Sequence, residues 1–476
     1  MTNPQTLLDL PIEKLSQLLR QGNVTSADLV KEAFANIEKF NRSVNAAISL
    51  VDEEAALASA KEVDTKLKKS TSLLAGIPYV MKDAYVTKGV RTTAGSTVLD
   101  NFLPPYSATV HTRLNDAGAI LIGKMNMDAW GHGASTENTD FGPTKNPWDL
   151  TRVAGGSGGG LATALATRMS SFAIGEDTGG SIRNPAAWTN TSALKVSYGR
   201  VSRYGAIAYA SSFDTVGPAA KKVEDLACVL EVIAGRDDYD ATSSTVKVPE
   251  YGKLLGKSVN GKKIAIPKEF FGEVLDGESK QAILKTAEVW QSLGVTTEEI
   301  SLPMLEFGVP MYYILVTSET SSNLARYDGV RFGGGRERFT KETKRRILTG
   351  THALSAGYYD EYYKKAQRGR SVLIEVYNDS LKSFDAILAP VNPTQPPKFG
   401  ELLDDPVKNM MADLYTGLVN IIGLPSLAIP CGFASDGLPI GMQLIGKMFS
   451  EDVLLQLGNA YQKVTNWHGV KPQLIS

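Results

Sequence analysis

Much of what catalytic and scaffolding chemistries usually start from is scarce in this chain. Its 476 residues include two cysteines, Cys228 and Cys431, and four histidines. That is too few for a disulfide framework or a zinc-ligand cluster, and a reducing compartment is expected. An excess of one charge is missing as well. Fifty basic residues against 51 acidic ones leave a net charge of −1, which gives no footprint for bulk phosphate binding, so a nucleic acid would have to be held mainly by something else. No apolar run approaches the roughly 20 residues of a membrane span. The amino-terminal MTNPQTLLDLP has no basic stretch followed by an apolar core, so no secretory signal is read there. A soluble, cytoplasmic protein is expected. Low-complexity linkers, charge blocks and internal repeats are absent too. Length alone suggests about three domains, but the unbroken texture favours one continuous α/β body.

What the chain has is glycine in telling places. Residues 155–181 read GGSGGGLATALATRMSSFAIGEDTGGS: a glycine nest, a short apolar helix, an apolar strand and a second glycine turn. Each turn carries one serine, Ser157 or Ser181. Glycine lets a backbone take positive φ and approach another group closely, so each serine can be presented to a substrate beside unpaired N–H groups. A nest before a helix could also cradle phosphate, but GGSGGG lacks the Gly-Lys-Ser/Thr ending of a P-loop and the spacing of a dinucleotide fingerprint. Residues 155–159 also fit Gly-x-Ser-x-Gly, a nucleophile-elbow pattern with Ser157 at its centre. That reading needs a downstream histidine, and only His352 and His468 follow. A third reading takes Lys82 as the base. Lys82 ends an apolar run, and burial can lower a lysine's pKa by up to about 3–5 units from a reference near 10.4. The alternative is a surface lysine paired with Asp83.

Around this centre the chain alternates apolar runs with helical patterns, which implies an α/β fold with a mixed, mostly parallel sheet covered by helices on both faces. Residues 11–69 read as a helical layer: Ile12, Leu15, Leu18 and Leu19 before Gly22, then a helix capped by Thr25 or Ser26, then a helix over about 53–69. Residues 73–86 and 118–128 are strand patterns. Residues 201–218 read as a loop over the sheet edge, and residues from about 240 to 390 as a cap subdomain within the same domain. DAILAP, SLAIPCGF and LPIGMQLIG return to the sheet.

Three motifs carry a resemblance: GIPYVMKD around Lys82, GGSGGG around Ser157 and DTGGSIRNPA around Ser181, with the serines 24 positions apart. In order and interval they resemble the amidase signature family over the whole chain. The resemblance implies a triad in which Lys82 is the base, Ser157, in a cis peptide bond, is the relay, and Ser181 is the nucleophile. The N–H groups of Thr178, Gly179, Gly180 and Ser181 would stabilise the oxyanion. It implies no metal and no cofactor in this chain. Gly158 stands where the family usually has a second serine, so any hydrogen bond from that hydroxyl is absent, and AAWTNTSALK after Pro185 also departs from the common pattern.

Within the family, SYGRVSRYGAIAYASSFDTVGP, SSNLARYDGVRFG, KRRILTGTHALSAGYYDEYYKKAQ and GLPSLAIPCGF resemble the glutamine-hydrolysing A subunits of tRNA-dependent amidotransferases. That likeness implies glutamine as substrate, held by Tyr312, Arg346 and Asp413. Arg346 is assigned across the short FGGGRERFTK stretch, with Arg345 as the fallback. It implies a B subunit that uses ATP and magnesium, holds most of the tRNA and converts Glu-tRNA(Gln) to Gln-tRNA(Gln), and a small C subunit. The other reading is a stand-alone amidase of the same family acting on another small amide.

Overall fold

The amino-terminal helices start and stop where the sequence supplies caps. In the computed structural model, which describes residues 6–331 and 334–475, the helix Ile12–Gln21 ends at Gly22 in the left-handed region, with its N–H on the Leu18 and Leu19 carbonyls. Thr25, rather than Ser26, caps the helix Ser26–Val44. Thr25 Oγ1 accepts from Asp28 N at 3.1 Å while Asp28 Oδ2 accepts from Thr25 N at 3.0 Å, a reciprocal capping box. Leu29, Ala33, Ile37 and Phe40 form the buried face of that helix. Full burial of such side chains contributes about 1.5–3 kcal/mol each, so packing more than propensity holds this layer in place. The third helix ends at Lys66 and continues as a tight turn, Leu67–Lys69.

Thirteen strands follow in chain order among the described residues. They are β1 (Ala47–Leu50), β2 (Pro78–Lys82), β3 (Ile120–Met125), β4 (Lys145–Asn146), β5 (Asp149–Val153), β6 (Phe172–Asp177) and β7 (Ser192–Lys195), then β8 (Thr215–Ala220), β9 (Lys263–Pro267), β10 (Thr296–Ile300), β11 (Ala386–Pro390), β12 (Ser426–Phe433) and β13 (Pro439–Gly446). β4 and β5 make a small hairpin; the other eleven form one sheet in the order β1-β3-β2-β6-β8-β7-β12-β13-β11-β9-β10. Every residue of β2, β3, β6, β8 and β13 is buried. Successive residues of a strand face opposite sides, so both faces of the sheet are covered, as expected. The helices Gly159–Ala166, Val223–Ile233 and Glu451–Val464 supply part of that cover. No helix among the described residues is long and apolar enough to cross a membrane.

The sheet is mixed, as expected, but its balance differs from the expectation. Parallel pairing is confined to two blocks of three strands, β3-β2-β6 and β11-β9-β10, and the six other neighbouring pairs are antiparallel. Three local expectations are corrected. Residues 11–69 are not all helical, because β1 lies between two helices and pairs with the edge of β3. Residues 215–220 are a strand in the middle of the sheet, between β6 and β7, and only the residues before them form a loop. The stretch from about 240 to 390 is not a cap alone: it gives β9 and β10 to the sheet, as well as β11, whose DAILAP run was expected there. Two of its helices, Leu305–Asn323 and Lys365–Ser383, pack against the helix Thr416–Ile422 near the site, and Lys341–Ala353 packs on Leu305–Asn323. Phe332 and Gly333, within the short FGGGRERFTK stretch, lie outside the described residues.

Candidate active site

β2 and β6 are parallel neighbours, with Met81 opposite Ile174, so their carboxyl ends lie side by side. Open α/β sheets gather their ligands at such ends. Lys82 is the last residue of β2, and Glu176 and Asp177 are the last two of β6. The glycine turn Thr178–Ser181 follows β6 directly, while the Ser157 turn precedes the helix Gly159–Ala166 that leads back to β6. The three side chains meet there. Lys82 Nζ is 2.7 Å from Ser157 Oγ, and Ser157 Oγ is 2.8 Å from Ser181 Oγ. The Gly156–Ser157 peptide is cis. Lys82 and Ser157 are fully buried, and Ser181 keeps only 6% of its surface. An amine and two hydroxyls in line, shielded from water, can pass a proton from Ser181 to Lys82 in two short steps.

The turn that presents Ser181 is braced from below. Asp177 and Arg183 form a buried ion pair at 2.9 Å, and Arg183 also donates to Gln443, Asn420 and the Thr416 carbonyl. Burial works against the Asp177 charge, but Arg183 outweighs it and holds the carboxyl down to about 2. Asp177 Oδ1 accepts the Gly180 N–H at 3.0 Å. This corrects one expectation: the Gly180 donor is committed to Asp177, whereas the N–H groups of Thr178, Gly179 and Ser181 have no acceptor among the described residues. Gly180 sits at φ +127°, where an L side chain is strained, and a Cβ there would run into Thr416. A Cβ at Gly179 would meet the Tyr312 hydroxyl.

The nest at Gly155–Gly160 has little left for a phosphate. The N–H groups of Gly156, Gly158, Gly159 and Gly160 go to Asn184 Oδ1, Ser181 O, Thr136 Oγ1 and Asn126 O, at 3.2, 2.9, 2.9 and 3.1 Å. Asp128 packs against Gly156 and accepts from Thr136 N and Asn138 N. Burial pushes its carboxyl up to about 6 against those two hydrogen bonds. The two downstream histidines are elsewhere. His352 lies against Tyr358 and Tyr362, and His468 is near Asn466 and Lys471 at the carboxyl end.

Tyr312, Arg346 and Asp413 come together beside the glycine turn. Tyr312 lies over Gly179, with its ring edge-on to Phe213 and Tyr313. Arg346 Nη1 donates to the Tyr209 hydroxyl, Nε pairs with Glu342 at 2.7 Å, and the guanidinium stands 5.1 Å from the Tyr313 ring centre. Nη2 makes no hydrogen bond among the described residues. Tyr313 Oη donates to Asp413 Oδ2 at 2.8 Å. Burial pushes Asp413 up to about 7, although Tyr313 and Arg346 both favour its ionised form. Arg345 also pairs with Glu342, but its side chain is 35% exposed and it makes no contact with these tyrosines; Arg346 is the buried arginine of the cluster. The sequence reading missed Tyr209, which lies in a loop, and Tyr313, the neighbour of Tyr312. It also missed Glu176, 3.3 Å from Lys82, and Asp214, joined to Glu176 through the Thr178 hydroxyl. The one local hint was an acidic pair, Glu176-Asp177, standing directly before a glycine turn.

Comparison with known proteins places this geometry in context. The amidase family profile matches residues 28–455. The A subunit of glutamyl-tRNA(Gln) amidotransferase from Geobacillus thermodenitrificans is 46% identical, with 98% of this chain and 100% of the relative aligned. Its counterpart from Brevibacillus brevis is 43% identical, with 99% of each aligned. Among solved structures, the A subunit of glutamyl-tRNA(Gln) amidotransferase from Thermotoga maritima superposes with a TM-score of 0.84 at 34% identity, covering 99% of this chain and 98% of that one.

Proposed function

The chain belongs to the amidase family, and we propose that it is the glutamine-hydrolysing A subunit of a tRNA-dependent amidotransferase, acting through Lys82, Ser157 and Ser181. The observation that carries the reading is the unbroken line from Lys82 Nζ through Ser157 Oγ to Ser181 Oγ, at 2.7 and 2.8 Å, next to the Tyr312–Arg346–Asp413 cluster. Ser181 attacks the side-chain carbonyl of glutamine. As the new C–O bond forms, its proton passes to Ser157 Oγ and the Ser157 proton passes to neutral Lys82. The carbonyl oxygen becomes an oxyanion facing the N–H groups of Thr178, Gly179 and Ser181, where one such donor is typically worth about 2.7–4 kcal/mol. The tetrahedral intermediate collapses, the C–N bond breaks, and the proton returns along the same line to the leaving nitrogen, which departs as ammonia. Water then attacks the glutamyl ester with the relay run again, and glutamate leaves.

Arg346 and Asp413 suit the other end of glutamine. A guanidinium with a free edge can take the α-carboxylate and a carboxylate can take the α-ammonium, while Tyr312 closes over Gly179. On this reading the ammonia goes to a B subunit, which uses ATP and magnesium and holds most of the tRNA, and a small C subunit completes a cytoplasmic assembly. The near-neutral charge of this chain suits a protein that leaves the tRNA to a partner. Neither cofactor nor metal is needed in the steps above. The test is ammonia release from glutamine by the chain alone and with its B and C partners, set against a panel of small and aryl amides. Glutamine-selective release supports the proposal. Fast partner-independent hydrolysis of the other amides, with glutamine ignored, would establish a stand-alone amidase instead.

A further inference from the structure

Besides Ser157, Lys82 meets a buried carboxyl group that the reaction above leaves unused, and a second carboxyl is joined to the first through a threonine. Glu176 Oε2 is 3.3 Å from Lys82 Nζ, and the Glu176 carbonyl is 3.4 Å away. The second oxygen of that carboxyl, Oε1, lies 2.9 Å from Thr178 Oγ1, and Thr178 Oγ1 lies 2.6 Å from Asp214 Oδ1. Lys82, Glu176, Thr178 and Asp214 are all buried. A threonine hydroxyl has one hydrogen to donate, and here it stands between two carboxyl oxygens. With both carboxyls ionised, one of the two contacts would set lone pair against lone pair in a site closed to water, where an unmet polar group is costly. One proton on the pair removes the conflict. The Asp214 hydroxyl then donates to Thr178, and Thr178 donates to Glu176.

The surroundings say which carboxyl carries it. Both oxygens of Glu176 act as acceptors, Oε2 from Lys82 Nζ at 3.3 Å and Oε1 from Thr178 Oγ1 at 2.9 Å. The cation that bears on Asp214 is Arg203. Asp214 Oδ1 can hold a proton and still accept the Ala210 N–H at 3.0 Å on its remaining lone pair, while Oδ2 keeps the Tyr209 N–H at 3.1 Å. Burial, then the Glu176 charge, push Asp214 well above the usual carboxylate range, in line with the hydrogen count. The other titratable groups facing the cluster are Asp177 from the end of β6, Asp128 from the loop after β3, and the Tyr85 phenol, whose hydroxyl has no partner among the described residues.

We propose that Asp214 holds one proton and shares it with Glu176 through Thr178, and that this trio is the positioning element that sets when Lys82 is free to accept a proton. The proposal rests on Lys82 being the base. As the Ser157 O–H bond breaks and an N–H bond forms on Lys82, the new ammonium meets the Glu176 carboxylate. The Thr178 hydrogen bond, kept in place by the Asp214 proton, occupies part of the Glu176 charge. The ammonium is therefore stabilised without being locked, and it can hand its proton back to the leaving nitrogen.

The test is the pH profile of kcat at saturating glutamine, which leaves out the Asp413 transition in glutamine binding, measured on the chain with whatever partners co-purify with it. Glu176→Gln removes the charge beside Lys82, so the acid limb moves to lower pH by about 1–3 units, the usual effect of an opposite charge at this range. Thr178→Val cuts the link to Asp214 and exposes Lys82 to the full Glu176 charge, so the limb moves to higher pH, and Thr178→Ser returns it to the wild-type position. A packing role would lower kcat without moving the limb in opposite directions. Should Glu176→Gln fail to fold, the Thr178→Val and Thr178→Ser pair decides. Limbs that stay in place in folded variants overturn the proposal. Lys82→Met separates this from the reading beneath it. Activity retained in Lys82→Met removes Lys82 as base, whereas lost activity there with unmoved limbs in the other variants removes only the carboxyl pair.

Discussion

Asp413 is expected to make glutamine binding pH-dependent in a way that can be read apart from the chemistry. Its carboxyl, pushed up to about 7 by burial, is mostly protonated below neutrality in the empty enzyme, and only the ionised form pairs well with an α-ammonium. The sign follows directly: affinity is full above about 7 and falls as pH drops through it. Each pH unit below that point should weaken binding by about tenfold, because the ionised fraction falls in that proportion. Ser181→Ala removes turnover but keeps the Cβ, so calorimetry on that variant reports Kd for glutamine free of the catalytic relay. Binding at about pH 6 should release close to one proton, visible as a dependence of the measured heat on buffer ionisation enthalpy. In the same background, Asp413→Asn should weaken binding by about 10- to 150-fold, the equivalent of a charge-assisted hydrogen bond of about 1.5–3 kcal/mol, and should abolish the pH dependence. Tyr313→Phe removes the donor at 2.8 Å and should move the transition to higher pH. A Kd that stays flat from about pH 8 to 5, or one that keeps its slope in Asp413→Asn, would refute the pairing.

Three further outcomes follow from the same geometry. Ser181→Ala should abolish ammonia release while circular dichroism and co-purification with partner proteins are unchanged, since the serine is at the end of a turn held by Asp177 and Arg183. Gly158→Ser should not be a free return to the family pattern. A Cβ there lies 2.8 Å from the Ser181 carbonyl oxygen, so the turn must shift, and a loss of about 1–3 kcal/mol in denaturant titration with reduced kcat is expected. Arg183→Met should cost about 3–5 kcal/mol at neutral pH by leaving Asp177 buried and unpaired. That deficit should shrink in acid, where the orphaned carboxyl takes up a proton.

The parts of this site that were legible in the sequence are those set by short-range geometry. Lys82 ends an apolar strand, and Ser157 and Ser181 each stand on a glycine turn, so type and neighbours already restrict what the residue can do. Glu176 offered only its place beside Asp177 before a glycine turn, and Asp214 offered nothing local. They meet because β6 and β8 pair antiparallel with Asp177 opposite Thr215, which delivers Asp214 next to Thr178 from 36 residues away. β8 itself, TVGPAA, has neither β-branched continuity nor clean alternation, and it read as loop because its burial comes from its neighbours rather than from its own pattern. β1 and β10 are the two edges of the sheet, where half-exposed and charged residues are tolerated and the period-2 signal fades. The interior strands β2, β3, β12 and β13 were readable because burial on both faces demands a continuous apolar run. The choice between Arg345 and Arg346 needed the fold, since only the helix Lys341–Ala353 in place shows which of two adjacent arginines turns inward.

The most direct measurement is of the bond that the central claim requires. Enzyme mixed with glutamine, quenched in acid within the first turnover and mapped by peptide mass spectrometry, should carry a glutamyl ester on Ser181, none on Ser157, and none at all in Lys82→Met. A glutamyl adduct on Ser157, or a Ser181 that is acylated by other amides but never by glutamine, would contradict the account.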